Sequence, residues 1–239
     1  MAPSCFPAAS LIAMTGSSGE RRRRRRPEEA ERAILAAARS FLEEHPFREM
    51  KVESVMTRTG LSRPAFYAYF DDRYDLVTRL LEGIGGLLFA LDRRWLVGEP
   101  AAGRAESARV LREALGGGAE TFERYGPVLR AISDAASYDE RVEKVYGFGL
   151  LERLTVAVAA RIANDVGAGI SPPDLVPEET ARALVFMTER YLIDAYGRPV
   201  TPVTPVSPGA GQPRDNAAVL RTLQAVWIRT LYGPEPEGL

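Results

Sequence analysis

The chain has 239 residues, 46% hydrophobic and 26% charged, an ordinary globular balance that excludes wholesale disorder and collagen-like repeats. One cysteine, Cys5, excludes an internal disulfide, and one histidine, His45, leaves almost nothing for a histidine-based metal site or catalytic triad. The net charge of −1 hides an asymmetry, with 16 basic against 13 acidic residues through Trp95 and 15 against 19 beyond it.

The positive charges follow the apolar stretch of residues 1–19, the reverse of a secretory leader, so residues 1–27 are expected to form a disordered arm. That arm holds the unbroken run Arg21, Arg22, Arg23, Arg24, Arg25 and Arg26, a like-charge block of the kind that binds polyanions. From Pro27 the pattern turns helical. Proline suits a first turn, Glu28, Glu29 and Glu31 suit its positive end, and Ala30, Ile34, Ala37, Ala38, Phe41 and Leu42 form one apolar stripe up to Pro46.

A short second helix fits residues 52–59, with Val55 and Met56 inward and Gly60 as its stop. A third opens at Ser62 as N-cap and carries Ala65, Phe66, Tyr67, Tyr69 and Phe70; Phe66 and Phe70 read as core. A long connector follows from Arg73 to Leu96. Further helices are expected at about 105–124, 127–137, 139–166, 177–196 and 214–232, with residues 116–118, all glycine, breaking or kinking the first. Residues 197–213, with five prolines, read as a surface loop. Almost nothing reads as a strand, so the fold class is all-α, with about nine helices.

No apolar run reaches the ~20 residues that span a bilayer, which points to a cytoplasmic protein with no membrane partner. No catalytic set emerges either. The glycines at 116–118 lack the lysine and Ser/Thr of a phosphate loop, and Asp71-Asp72 and Glu178-Glu179 sit where helix capping explains them. We therefore expect no enzyme, no metal and no cofactor.

Residues 28–73 describe three helices, the last two joined by a tight Gly60-Leu61 turn: a helix-turn-helix, whose third helix enters a major groove while the second braces it. The segment Val52 to Phe70, above all Gly60-Leu61-Ser62 and Phe66-Tyr67-Ala68-Tyr69-Phe70, resembles the DNA-binding signature of the TetR family of transcriptional regulators. Within that family Met187-Thr188-Glu189-Arg190 and Val226-Trp227-Ile228 resemble the EthR group. The resemblance implies a homodimer with a head at 28–73 and, at 74–239, a connector and a C-terminal ligand-binding and dimerisation bundle.

By position, it implies base contacts from Arg63 and Ala65, and phosphate contacts from Ser62, Tyr67, Tyr69 and Arg73. The chemistry agrees, since arginine forks onto guanine O6 and N7 and hydroxyls reach phosphate oxygens. Lys51 stands where the family has a Ser or Thr cap, trading a capping oxygen for a phosphate-seeking charge. The arginine run resembles extensions that some members lay beside the DNA, where arginines enter a narrow minor groove or neutralise phosphates.

For the C-terminal bundle the resemblance implies an apolar channel lined by Phe122, Tyr146, Leu150, Val185, Thr188 and Trp227. Val185 and Thr188 replace two asparagines of that group, and Arg153 replaces a lining aromatic and so would narrow the channel or offer a charge. Glu189 and Arg190, charged inside an apolar segment, suggest an internal pair or a dimer contact. The expected partners are a double-stranded DNA operator, a second copy of the chain through the last two helices, and a hydrophobic small-molecule effector. The competing expectation is an architectural DNA-binding dimer without ligand control.

Overall fold

The computed structural model describes residues 27–97, with backbone only at 87–94, together with 103–197 and 215–233. Cys5, the arginines at 21–26 and residues 198–214 of the proline-rich segment lie outside the described residues. Among the described residues there is no strand, and there are nine α-helices: α1 (Pro27–Glu44), α2 (Val52–Thr59), α3 (Arg63–Phe66), α4 (Arg73–Leu96), α5 (Arg104–Ala136), α6 (Glu140–Glu143), α7 (Arg153–Gly167), α8 (Pro177–Tyr196) and α9 (Asn216–Tyr232). No helix among them is long and apolar enough to cross a membrane.

The head forms where the apolar stripes of α1, α2 and the start of α4 converge. Ile34, Ala38 and Leu42 of α1 meet Val55 and Met56 of α2, Phe66 and Phe70, and Leu76 and Val77 of α4, all buried. Gly60 closes α2 in the left-handed region at φ 67°, which a side chain would resist. Thr59 then locks the turn, its hydroxyl donating to the Met56 carbonyl and accepting from the Leu61 amide. Arg58 binds both carboxylate oxygens of Glu44 at 2.6 and 3.1 Å, tying α2 to α1. That hydrogen bond holds the Glu44 carboxyl below its usual range.

The third helix differs from the expectation in two ways. Regular α-structure ends at Phe66, whose carbonyl accepts from both Tyr69 and Phe70 amides, so the chain tightens into a turn before Asp72 caps α4 through the Tyr74 and Asp75 amides. Ser62 occupies the N-cap position, yet its hydroxyl makes no capping bond. Pro64 has no N–H to offer, and the Ala65 amide bonds the Ser62 carbonyl instead.

The C-terminal bundle is built around α5. Two separate helices at 105–124 and 127–137 are not what forms; α5 is continuous over 33 residues, through the glycines and through Pro127. An internal proline costs about 3 kcal/mol, but Val128, Leu129, Ala131, Ile132 and Ala135 beyond it are all buried, and their burial requires the helix to continue. Gly126 allows α8 to approach closely, since a Cβ there would sit 2.3 Å from the Tyr196 carbonyl oxygen.

The expected helix at 139–166 is interrupted in register rather than in direction. Asp139 caps α6, and a π-helical turn over Lys144–Glu152 inserts before α7. The wider turn rotates everything downstream by about one residue. The inner face therefore passes from Tyr146 and Leu150 to Leu151, Leu154 and Val158, and Arg153 is turned out to solvent. Arg153 neither narrows the channel nor offers it a charge, because an unbroken α-periodicity from Tyr146 is the wrong ruler here.

Candidate nucleic-acid interface and internal cavity

Around α3, Ser62, Arg63, Tyr67 and Lys51 are exposed, Tyr67 to 50%, while Ala65, Tyr69 and Arg73 are half-buried. Phe66 and Phe70 are fully buried beneath them with their rings 5.4 Å apart, so the exposed side chains stand on a rigid floor. Arg63 is already oriented: Nη1 lies 2.8 Å from Glu53 Oε1 on α2, and Nη2 donates to the Tyr67 hydroxyl at 3.3 Å. The Tyr67 hydroxyl and the Glu53 charge hold the Arg63 guanidinium firmly protonated. Lys51 has the extended backbone of an N-cap and, as its side chain requires, makes no capping bond.

Arg73 has a second task. It donates to the Met50 carbonyl at 3.2 Å and to the Tyr74 hydroxyl at 3.3 Å, and its guanidinium lies 4.8 Å from the Phe47 ring centre. It thereby pins the turn that leads into α2 to the start of α4. His45 ends α1 stacked on Phe41 at 4.7 Å, within 3.7 and 3.8 Å of the Glu44 and Glu49 carboxylates.

In the C-terminal bundle Phe122, Tyr146, Leu150, Val185, Thr188 and Trp227 all border one cavity, together with Trp95, Leu111, Gly118 and Leu192. Its volume is about 90 Å³. The absence of side chains at Gly118 helps to leave that space. Trp227 Nε1 donates to the Thr188 hydroxyl at 2.8 Å, leaving that hydroxyl's own proton able to point elsewhere.

Glu189 also borders the cavity, half-buried, and its Oε1 accepts from the Tyr146 hydroxyl at 2.5 Å and from Ser133 Oγ at 3.4 Å. Burial, reinforced by the Glu189 charge, pushes the Tyr146 phenol well above its usual range, so it remains a donor. Arg190 is exposed. The two neighbours therefore do not form an internal pair: consecutive helical residues point about 100° apart, and only Glu189 turns inward.

Beside the cavity lies a polar network that periodicity alone did not reveal. Arg161 and Asp165, 4% and 1% exposed, pair across one turn of α7 at 3.1 Å. Arg161 also donates to the Trp95 carbonyl at 2.9 Å; Trp95 Nε1 donates to the Tyr232 hydroxyl, and that hydroxyl donates to Asp165 Oδ2, both at 3.0 Å. Burial raises the Tyr232 phenol as well. The signal was an Arg and an Asp four residues apart on the same stripe as Val158 and Ile162.

The head meets the bundle through an exposed ionic contact. Arg141 of α6 donates to Asp72 Oδ2 at 2.7 Å while also holding Asp139 at 2.8 Å. Partial burial raises the Asp72 carboxyl, but Arg141 and the capped amides outweigh it and bring it below its usual range.

Comparison with known proteins agrees with this geometry. Residues 34–80 match the family model described as bacterial regulatory proteins, tetR family. The chain is 28% identical over 217 residues to the HTH-type transcriptional regulator EthR of Mycobacterium tuberculosis, covering 90% of this chain and 93% of that protein. It is 26% identical over 225 residues to EthR of Mycolicibacterium smegmatis, covering 92% and 94%. The regulatory protein TetR from Rhodobacter sphaeroides shares the fold with a TM-score of 0.59 at 18% identity, over 84% of this chain and 98% of that one. The helix-turn-helix built on Phe66 and Phe70 falls inside the matched segment, so residues 34–80 are a TetR-family DNA-binding domain, and the chain as a whole is similar to the EthR transcriptional regulators in sequence and to TetR in fold.

Proposed function

We propose that this protein is a ligand-responsive repressor that binds a palindromic operator as a homodimer and leaves it when a hydrophobic small molecule enters the cavity. The observation that carries the reading is one chain holding both an exposed Arg63-Tyr67 face on a buried aromatic floor and a separate apolar cavity. Arg63 and Ala65 read bases, and Lys51, Ser62, Tyr67, Tyr69, Arg73 and the arginines at 21–26 hold phosphates. Phe186 and Met187 of α8 and Val226 of α9 are exposed apolar side chains on the two helices assigned to the dimer contact.

The proposed path from cavity to head runs along the π-helical turn, which carries Tyr146 and Leu150 and continues directly from α6, where Arg141 grips Asp72 at the start of α4. A ligand that favours one arrangement of that turn shifts the heads only through its differential affinity for the two states.

Selection of random duplexes by the purified protein, followed by titration at fixed salt, tests the reading. A palindrome preferred over scrambled DNA by ~10³ or more is expected for a site-specific dimer. Salt-sensitive binding to every duplex with no enrichment would instead establish the architectural alternative. Arg63→Ala is expected to lose about 1–3 kcal/mol at one base position and to relax the selected sequence there, whereas Lys51→Ala should weaken all sequences alike and reduce the salt slope by about 1.

Thr188→Trp places a large ring in the cavity and is expected to abolish ligand-induced release while leaving operator affinity within about a factor of three, since Thr188 lies on α8 away from the head. Release at the wild-type ligand concentration would put the effector site elsewhere.

A further inference from the structure

Among the described residues that line the cavity, one is charged, Glu189. The other described lining side chains are apolar, aromatic or, at Thr188, a hydroxyl; among the described residues no arginine, lysine or histidine borders it. We propose that its ligand is a hydrophobic amine, with the cationic nitrogen set against the Glu189 carboxylate and the apolar body among the aromatic rings. This rests on the reading of the cavity as the effector site and narrows it to a chemical class.

Three observations carry it. Glu189 receives two neutral donors, Tyr146 and Ser133, both on Oε1, and forms no ion pair with a described residue. A carboxylate half-removed from water with no cation beside it is a cost that a bound cation relieves. The nearest sequence neighbour of opposite charge, Arg190, faces solvent and does not serve.

The local field has the same sign. Both Glu189 and Glu143, the latter on α6, act on the Tyr146 phenol as negative charges, so that end of the cavity favours a positive group. The rings of Trp95, Phe122, Tyr146 and Trp227 supply the aromatic surface against which alkylammonium groups bind well. An acidic ligand meets the opposite situation, a like charge with no basic partner among the described residues of the wall.

The chain has two tryptophans, Trp95 and Trp227, and both line the cavity with their rings 6.0 Å apart, so intrinsic fluorescence reads occupancy directly. The experiment titrates the full chain at neutral pH with octylammonium, octanol and octanoate, kept below micellar concentrations. Octylammonium is expected to bind about tenfold more tightly than octanol, as one charge-assisted hydrogen bond provides, with octanoate weakest. Glu189→Gln is expected to remove the preference, bringing amine and alcohol to within about a factor of two.

Octanol or octanoate binding as tightly as the amine to the wild-type protein would overturn the proposal, with no variant needed. So would an amine preference that survives in Glu189→Gln. Saturable binding of the alcohol alone would leave the effector cavity standing and remove only its charge selectivity. A signal from none of the three chains would overturn the effector-cavity reading itself, and the proposal with it.

Discussion

Asp165→Ala is expected to destabilise the protein by about 3–5 kcal/mol, seen as a lower denaturant midpoint with an unchanged slope. The reason is what the substitution leaves behind. Arg161 would remain 4% exposed with its partner carboxylate gone, and the Tyr232 hydroxyl would lose the acceptor it now reaches at 3.0 Å. The Arg161 donation to the Trp95 carbonyl, a neutral acceptor, survives the substitution. Replacing Arg161 and Asp165 together with Met and Leu removes both buried charges at once and should cost much less, because the single variant leaves one member of a buried ion pair behind. A loss below about 1 kcal/mol in Asp165→Ala would mean that water reaches Arg161 and that the network is not a closed one.

The consequence of this network extends beyond stability. It joins Trp95 near the end of the connector helix α4 to α7 and to the last residue of α9. Trp95 and Trp227 also border the cavity, so the ionic network holds part of the cavity wall as well as the far end of the connector. In Asp165→Ala the operator affinity and the response to ligand are therefore expected to loosen together.

Phe66→Ala is expected to cost the head about 3–5 kcal/mol, the usual range for deleting a fully buried phenylalanine. Phe66 is 0% exposed, tilted against Phe70 and edge-on to Tyr67 at 5.3 Å, and its carbonyl carries the turn that follows α3. Losing the ring removes the floor beneath the exposed side chains without touching any of them. Amide hydrogen exchange should accelerate across α1 to α3 and much less across α5, α8 and α9, and operator binding should fall with it. Phe66→Leu, which keeps most of the volume, should fall between the two proteins. Unchanged exchange in the head of Phe66→Ala would show that Phe70 and Leu76 carry that core without it.

How much of this was legible in the chain depends on how local the controlling physics is. The stripe from Ala30 to Leu42, Pro27 at the start of α1, and Gly60 as a left-handed stop are decided within a turn or two of helix, and the first two helices lie where the periodicity puts them. Phe66 and Phe70 as core follow from the same rule. The all-helical class needed only the repeated apolar spacing. The six cavity-facing positions came from resemblance rather than spacing, because periodicity names an inner face and does not say whether that face is filled or hollow.

Three features were decided only by tertiary structure. Pro127 reads locally as a helix boundary, yet α5 runs through it because the buried residues on both sides gain more from continuing against α8 and α4 than the missing hydrogen bond costs. Arg153 reads as an inner position, and a π-helical turn invisible to a 3.6-residue period turns it outward while bringing Leu154 in. Glu189 reads with Arg190 as an internal pair or a dimer contact, and the burial of Arg161 and Asp165 goes unannounced. Whether a charge is solvated or buried depends on which helices cover it, and those partners are 43 residues away for Tyr146 with Glu189 and 66 for Trp95 with Arg161. The sequence by itself determined the all-helical class and the helices of the head; the packing of distant helices decided where charge was enclosed and where a cavity was left inside the bundle.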